Sequence, residues 1–231
     1  HCEGAEIEKN GEAFVIRDDR PLDAHGFALR INDEEYRLLA KLEAAENCVC
    51  LKERADFALG IVTGDNKRYL SNDCLDGMEP VVTGSDVYRY RYQDSGKYVD
   101  PDLALYQQAA PAKLYRAPEK LIYRFINRQL VFAYDDRQRL TLNSCNVVIP
   151  RVERLDMKYI MAVLNSRVAQ YMYEKRYHVV KVLRSHIESI PIPLADVRSQ
   201  QEIIQMTDNL MTCEHRGDLY DEIDDAVRRL Y

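Results

Sequence analysis

The sequence predicts a mixed α+β fold, with a twisted and mostly antiparallel sheet, packed helices and a C-terminal helical tail. Residues 120–150 form short β-branched and aromatic runs separated by Asn and Asp, which is typical of three or four consecutive strands. After Pro150 the apolar residues follow the 3.6-residue period of helices. The chain has 231 residues, 46% of them hydrophobic, so it is long enough and apolar enough to bury a core.

The first 47 residues are expected to form a lead-in with one helix. Residues 14–16 are apolar and predict a short strand. Asn32 or Asp33 can cap a helix that runs from residue 34 to about residue 46. The buried side of that helix would hold Tyr36, Leu38, Leu39 and Leu42. A strand with Val49 and Leu51 should follow.

Residues 58–70 are the most distinctive short stretch, because two glycines, Gly60 and Gly64, flank a β-branched pair. Gly64 lies in a turn, where a positive φ is readily adopted. A tight loop between strands explains the pattern without a ligand. The alternative is a loop whose backbone approaches a ligand closely. Its donors would be Thr63, Asn66 and Lys67, beside the aromatic Tyr69. The stretch matches neither a Walker loop nor a dinucleotide-binding fingerprint.

Residues 87–92 alternate tyrosine with arginine, which predicts a single strand. Strict alternation would place three tyrosines on one face of a sheet and two arginines on the other. A half-buried strand with one solvated face accounts for this pattern. Residues 100–118 are expected to be looser, with a short helix.

Cations are concentrated in the middle of the chain. Residues 85–186 contain 18 Lys and Arg against 10 Asp and Glu, a balance of +8, whereas residues 1–84 carry −8 and residues 187–231 carry −6. Arginines punctuate the predicted strands at positions 124, 128, 137, 139 and 151. Despite the net charge of −6, this basic middle can bind a phosphate backbone, or it can pair with the acidic ends.

The last third of the chain is predicted to be mainly helical. Asp156 should cap one long helix that runs to about Tyr177. Its apolar stripe would consist of Ile160, Leu164, Val168 and Met172. Two prolines predict an extended segment over residues 187–194. Two amphipathic helices should follow, one over residues 199–213 and one from about residue 218.

The composition points to a soluble protein of the cytoplasm. No apolar run approaches the roughly 20 residues that span a bilayer, and no leader opens the chain. Scattered cysteines indicate reduced thiols and no metal site. They are Cys2, Cys48, Cys50, Cys74, Cys145 and Cys213.

Four stretches, in this order, resemble the C-terminal target-recognition region of adenine-specific DNA methyltransferases. They are residues 60–67, the 120–150 block with Asn143-Ser144 before its last strand, residues 159–166 leading to residues 190–193, and the closing residues 223–231. Such regions occur in TaqI-like enzymes and in type IIG restriction-modification proteins, and they are related to the specificity subunits of type I systems. The resemblance extends from about Cys48 onward.

The resemblance implies a domain division and a function. Residues 48–194 would form a DNA target-recognition domain, and residues 195–231 spacer-like helices that orient it against an upstream methyltransferase domain or subunit. The module would bind double-stranded DNA and read a short sequence, without being an enzyme on its own. The cofactor S-adenosylmethionine would belong to the missing catalytic domain, since this chain lacks the adjacent prolines of the family's catalytic motif. Some parent proteins are fused to an endonuclease.

By family position, the DNA-binding residues are expected in four neighbourhoods. Cations would contact phosphates, while arginine, asparagine or glutamine would read base edges. The candidates are Thr63, Gly64, Asn66, Lys67, Tyr69, Arg124, Arg128, Asn143, Ser144, Lys175, Arg176 and Lys181.

Two other classes of function compete with DNA recognition. A metal-dependent nuclease would combine Asp156-Met-Lys158 with Pro101-Asp102, although Asp156 also suits a helix cap. A protein-interaction domain would bind an acidic partner through its basic sheet. His178 and His186 have no nucleophile motif beside them and are interpreted as ordinary polar residues.

Overall fold

The computed structural model describes residues 4–9, 11–17, 30–177, 179–212 and 217–231. The strands in these ranges are β1 (Glu6–Lys9), β2 (Glu12–Val15), β3 (Cys48–Val49), β4 (Ala55–Ala58), β5 (Glu79–Val82), β6 (Val87–Tyr88), β7 (Arg91–Tyr92), β8 (Tyr98–Val99), β9 (Lys120–Arg124), β10 (Phe132–Asp135), β11 (Leu140–Thr141), β12 (Cys145–Pro150) and β13 (Ile192–Pro193). The α-helices are α1 (Asp33–Glu43), α2 (Asn66–Tyr69), α3 (Ala112–Tyr115), α4 (Met157–Asn165), α5 (Arg167–Arg176), α6 (Arg184–Glu188), α7 (Val197–Thr212) and α8 (Gly217–Arg228).

The central sheet has four antiparallel strands in the order β10-β9-β12-β4. The 120–150 block therefore contributes three of its strands, and the predicted α+β class is confirmed. The fourth strand of the block, β11, leaves this sheet and pairs in parallel with β5, which also pairs with β8. A tight turn in which the amide of Cys145 donates to the carbonyl of Leu142 (2.9 Å) returns the chain to the central sheet.

Helix α4 packs against the central sheet and is buried along almost its whole length, with eight of its nine residues inaccessible. Its last residue, Asn165, joins it to the sheet edge. The Asn165 amide accepts from the amide of Phe132 and donates to the Phe132 carbonyl, both at 2.9 Å. The Asn165 side chain and the backbone of Tyr90, which bridges to Ala133, together satisfy the outer edge of β10.

The prediction of one helix from Asp156 to Tyr177 is wrong, because the chain breaks at Ser166. This residue is extended (φ −69, ψ 158), and its hydroxyl accepts from the amide of Ala169 at 3.2 Å, which caps α5. The carboxylate of Asp224 in α8 accepts from the amide of Arg167 at 2.9 Å. Local capping and a tertiary carboxylate together satisfy the freed amides, so a new helix begins.

The predicted single strand over residues 87–92 is also wrong. β6 and β7 form a tight hairpin whose turn contains Arg89 and Tyr90, and Tyr90 has a positive φ of 75°. The turn interrupts the alternation, so Tyr88 is exposed while Tyr90 is buried. Likewise, the predicted extended segment 187–194 is extended only at β13, because Ile187 belongs to α6.

Other predictions are confirmed. Asn32 caps α1 and forms a capping box with Glu35. α3 is the short helix expected before the β block, Asp156 caps α4, and α7 and α8 are the two terminal helices. The strand expected at residues 14–16 is β2, which pairs with β1.

One apolar core joins Ile31, just before α1, to Val227 in α8, so the terminal helices pack on the same body as the sheet. The domain boundaries after residues 47 and 194 stay predictions. The four cysteines in the described ranges are free thiols, while Cys2, Cys213 and His178 lie outside those ranges. Among the described helices, none has the length and apolar character needed to cross a membrane.

Replacing Asn165 with Ala should destabilise the fold, because it leaves the buried amide of Phe132 without an acceptor. We expect the free energy of unfolding to fall by about 2–4 kcal/mol in urea titrations. The matched control is Asn209→Ala on the exposed side of α7, which should change stability by less than about 0.5 kcal/mol. Equal effects of the two substitutions would contradict the role of Asn165.

Alkaline pH should unfold the protein through its buried tyrosines. Burial raises the pKa of Tyr123 and of Tyr173 to about 12, whereas a tyrosine in an unfolded chain titrates near pH 10. The stability from keeping these phenols neutral is complete below pH 10 and is lost as the pH rises toward 12. The Tyr173 hydroxyl has no hydrogen-bond partner in the described structure. Tyr173→Phe should therefore retain wild-type stability at pH 8 and lose less between pH 10 and 12, measured as urea midpoints. An unchanged pH dependence would refute this assignment.

Candidate nucleic-acid interface

The candidate site lies at one end of the central sheet, where β9 ends and β12 begins. Arg124 and Cys145 are paired across these two strands. The loop after β9 therefore meets the turn before β12, and the amide of Phe125 donates to the carbonyl of Ser144 at 3.0 Å. Two of the predicted neighbourhoods, Arg124 with Arg128 and Asn143 with Ser144, are brought together here.

The glycine-flanked stretch 58–70 is held against the same turn. The amide of Asn143 donates to the carbonyl of Ile61 at 3.0 Å, and the amide of Gly60 donates to the side chain of Asn146 at 3.0 Å. A Cβ on Gly60 would lie 2.2 Å from the carbonyl oxygen of Leu142. The close approach that Gly60 allows is therefore between its own backbone and the turn at residues 142–145 of the same chain.

The residues after Gly60 form a short exposed helix. Gly64 adopts a positive φ of 80°, as predicted, and Asp65 caps α2 by accepting from the amides of Lys67 (3.0 Å) and Arg68 (3.3 Å). Thr63 is buried and hydrogen-bonds to Asn66 at 2.5 Å, so its role is structural.

The side chains of this stretch differ in accessibility. Asn66 and Lys67 are exposed, and so is Arg68. Tyr69 is half-buried and packs edge-on against Tyr106, with 5.5 Å between ring centroids. Lys67 and Arg68 are therefore free to reach a ligand, while Asn66 is exposed but accepts a hydrogen bond from the Thr63 hydroxyl.

A third segment, residues 84–88, contacts the turn from the other side. The amide of Gly84 donates to the hydroxyl of Ser144 at 2.8 Å, and a Cβ on Gly84 would lie 2.5 Å from the Ser144 carbonyl oxygen. Arg124 donates to the carbonyl of Val87 at 2.7 Å, and its guanidinium lies 5.6 Å from the ring centre of Tyr88. Ser144 and Arg124 therefore hold this segment in place. Sequence reasoning missed it, although its Thr-Gly pair resembled the turn at Gly64.

A fourth segment completes the site. Lys181 forms an antiparallel bridge with Ile126, and the amide of Asn127 donates to the carbonyl of Val180 at 2.9 Å. Lys181 and Arg128 are both exposed at this position. We call the surface formed by residues 64–68, 84–88, 124–128, 143–144 and 179–183 the rim.

Lys175 and Arg176 have a different environment from the rest of the predicted residues. Lys175 forms an ion pair with Glu35, and Arg176 lies 3.1 Å from Glu43, so both cations pair with α1. Burial raises the pKa of Glu43, and the charge of Arg176 opposes that shift. α1 neutralises these two cations.

The basic middle of the chain does pair with its acidic ends, but outside the rim. In the described residues, ion pairs of this kind connect Arg116 with Glu79, Arg151 with Asp56, Lys175 with Glu35, Arg176 with Glu43, Lys158 with Asp208, Arg167 with Asp221 and Asp224, Arg89 with Asp224, and Arg184 with Glu188. Within the described ranges, Lys67, Arg124, Arg128 and Lys181 of the rim form no ion pair. The rim therefore keeps uncompensated positive charge.

The residues of the alternative nuclease site have structural roles. Asp156 caps α4 by accepting from the amide of Lys158 at 2.7 Å, and the Lys158 ammonium lies 2.5 Å from Asp208. Asp102 caps the 3₁₀ turn Leu103–Leu105. Across the parts of the chain that are described, no cluster of three or more His, Cys, Asp or Glu is arranged to hold a metal ion.

Several solved structures are similar to this chain. One, titled for complex assembly and conformational transition of the type I R-M system, has a TM-score of 0.47 and 12% identity over 85% of this chain and 47% of its own. The HsdS subunit from Thermoanaerobacter tengcongensis has a TM-score of 0.44 and 12% identity, over 86% and 51%. The type IIL restriction-modification enzyme MmeI in complex with DNA has a TM-score of 0.44 and 10% identity, over 76% and 32%. The chain spans about half or less of each of these proteins.

A family model provides the more direct comparison. No curated protein matches the sequence. Residues 79–192, however, match the model of the TaqI-like C-terminal specificity domain. The matched segment runs from β5 to β13 and includes the central sheet apart from β4, the turn before β12 and helices α3 to α6. Over this segment the chain is similar to the TaqI-like C-terminal specificity domains.

Proposed function

We propose that this chain is the DNA target-recognition module of a restriction-modification adenine methyltransferase, and that its rim binds duplex DNA and reads a short sequence. The observation that carries the proposal is the distribution of charge. Many cations of the basic middle pair with carboxylates from the two ends, whereas the rim cations Arg128 and Lys181, and Lys67 beside them in the rim, are exposed and form no ion pair within the described ranges. The family match of residues 79–192 supports this interpretation.

The rim has the two kinds of side chain that sequence-specific binding needs. Its cations suit phosphate contacts, which position a protein on the duplex without reading sequence. The exposed amides of Asn66 and Asn143 suit base edges, since an asparagine can pair with two atoms of adenine at once. The backbone amide of Asn143 donates to the carbonyl of Ile61, so the turn is fixed and presents the Asn143 side chain from a fixed position.

Catalysis would reside in a separate methyltransferase domain or subunit that binds S-adenosylmethionine and flips the target adenine out of the duplex. In this proposal the chain is not an enzyme on its own and acts in the cytoplasm, on the DNA to be modified. α7 and α8 would serve as the spacer that orients the module against its catalytic partner. Their apolar sides pack on α4 and α5, which leaves their polar sides for that contact.

Removing rim charge should weaken DNA binding and its salt dependence. The triple substitution Lys67→Ala, Arg128→Ala and Lys181→Ala should lower the slope of log affinity against log salt by about 0.9 for each phosphate that the protein no longer neutralises. Fluorescence anisotropy of a labelled duplex of about 30 base pairs over a salt series measures this slope. Arg124 is left intact because its side chain supports the backbone of β6.

The matched control removes the same charge elsewhere. Lys41, Lys52 and Arg198 are exposed. Lys52 precedes β4 near the far end of β12, roughly 20 Å from the rim along a six-residue strand. Replacing these three with Ala should leave affinity and slope close to those of the wild type. Equal losses in both triple variants would refute the rim as the interface, and stronger binding to polyglutamate than to DNA would favour the protein-interaction alternative.

A different substitution should affect specificity. Asn143→Ala should relax the preference at one position of a motif selected from a random duplex library, by about 1–3 kcal/mol. Its affinity for unselected DNA should stay near that of the wild type, because Asn143 carries no charge. Lys181→Ala should instead weaken binding to all sequences equally. An unchanged motif in Asn143→Ala would remove this residue from base reading.

A further inference from the structure

An apolar finger projects from the rim. It consists of residues 125–127 paired with residues 179–183, and it is held by hydrogen bonds from Asn127 to Val180 (2.9 Å) and from Val182 to Phe125 (2.8 Å). Val182 anchors it in the core and is almost fully buried. By contrast, Ile126 is 61% exposed and Val180 is 51% exposed. Two large apolar side chains thus face solvent on a backbone that is fixed in position.

Cations flank this apolar tip. Ile126 and Lys181 are partners in an antiparallel bridge, so their side chains project from the same face. Arg128, two residues after Ile126, is exposed on the adjoining chain, and Val179 and Leu183 are exposed on either side of Lys181. Residues 125–130 and 179–183 contain no Asp or Glu. The finger therefore combines an apolar point with positive charge and no negative charge of its own.

This combination matches the inside of a DNA base step and the phosphates beside it. The faces of stacked bases are apolar, and apolar side chains that enter between two base pairs unstack and kink the duplex. A protein partner would need a matching apolar hollow rimmed by acidic groups. The finger also adjoins the turn that presents Asn143, because the amide of Phe125 bonds to the carbonyl of Ser144.

On the basis of the proposed function, we propose that Ile126 is a wedge that inserts between adjacent base pairs of the bound duplex, while Arg128 and Lys181 bind the flanking phosphates. The wedge positions and loosens the DNA and is not a catalytic residue. Unstacking a base step costs free energy, which contacts elsewhere on the rim offset. A duplex already unstacked at one step is easier to open for base flipping by a catalytic partner.

The experiment uses the full chain and a duplex selected by it from a random library, with 2-aminopurine substituted for each adenine in turn. 2-Aminopurine emission rises when the base loses its stacking neighbours. Wild-type protein should raise the emission at one base step only. Ile126→Ala should lose most of that rise and weaken binding by about tenfold. Its salt slope should stay unchanged because both cations remain.

Two variants test the chemistry of the tip. Ile126→Met keeps an apolar point and should retain the rise, whereas Ile126→Ser should lose it. Val197→Ala is the matched control, since Val197 is 69% exposed at the start of α7, outside the rim. Thermal unfolding should be unaffected in all of them, because Ile126 and Val197 are exposed.

The outcomes separate the wedge from the proposed function. Salt-dependent binding of the wild type without any rise in emission, or an equal rise with Ile126→Ser, overturns the wedge and leaves DNA recognition intact. Failure of the wild type to bind any duplex overturns the proposed function, and the wedge with it. A rise that is lost with Ile126→Ala and Ile126→Ser and kept with Ile126→Met and Val197→Ala establishes the wedge.

Discussion

The structure depends on a single tight turn, residues 142–145, whose backbone is contacted closely by one glycine on each side. Gly60 approaches it so closely that a Cβ would fall 2.4 Å from the carbonyl oxygen of Cys145, and Gly84 approaches it on the other side with a corresponding distance of 2.5 Å to Ser144. No other residue fits at either position without moving backbone. Since β12 starts at this turn, the central sheet and three segments of the rim share one fixed point. The position of every candidate DNA-binding residue near Asn143 follows from this contact.

The helical layer is fixed to the sheet in a comparable way, through polar groups that are fully satisfied. Asn165 at the end of α4 bonds to both backbone groups of Phe132. At the other end of the same strand, the buried carboxylate of Asp135 accepts from Lys120, from Tyr92 and from the amides of Arg137 and Arg139. Burial lowers the pKa of Lys120, and the charge of Asp135 opposes that shift. Buried polar groups of this kind stabilise one arrangement because leaving any partner unpaired costs free energy.

Among the described residues, the cations of the basic middle include two groups, those that pair with carboxylates and those that stay unpaired at the rim. Where it faces α1 or α8, its cations pair with carboxylates, as Lys175 does with Glu35 and Arg167 with Asp221. These surface pairs contribute little stability individually. Their main consequence is electrostatic, because they neutralise cations that face the acidic helices, whereas Arg128 and Lys181 of the rim form no ion pair within the described ranges. An anionic duplex would then be attracted to one surface of a protein whose net charge is negative.

The sequence by itself determined the α+β class, the strands of the 120–150 block, the caps at Asn32 and Asp156, the turn at Gly64 and the two terminal helices. These features depend on local chemistry, namely periodicity, capping and turn propensity, which a short window contains. The tertiary structure decided the break at Ser166, because its stability relies on Asp224 from a distant helix. It also decided that Gly60 approaches backbone and not a ligand, and that Lys175 and Arg176 are neutralised while Arg128 and Lys181 are not. Those outcomes depend on which segments meet in space, and one-dimensional charge or spacing does not specify such meetings.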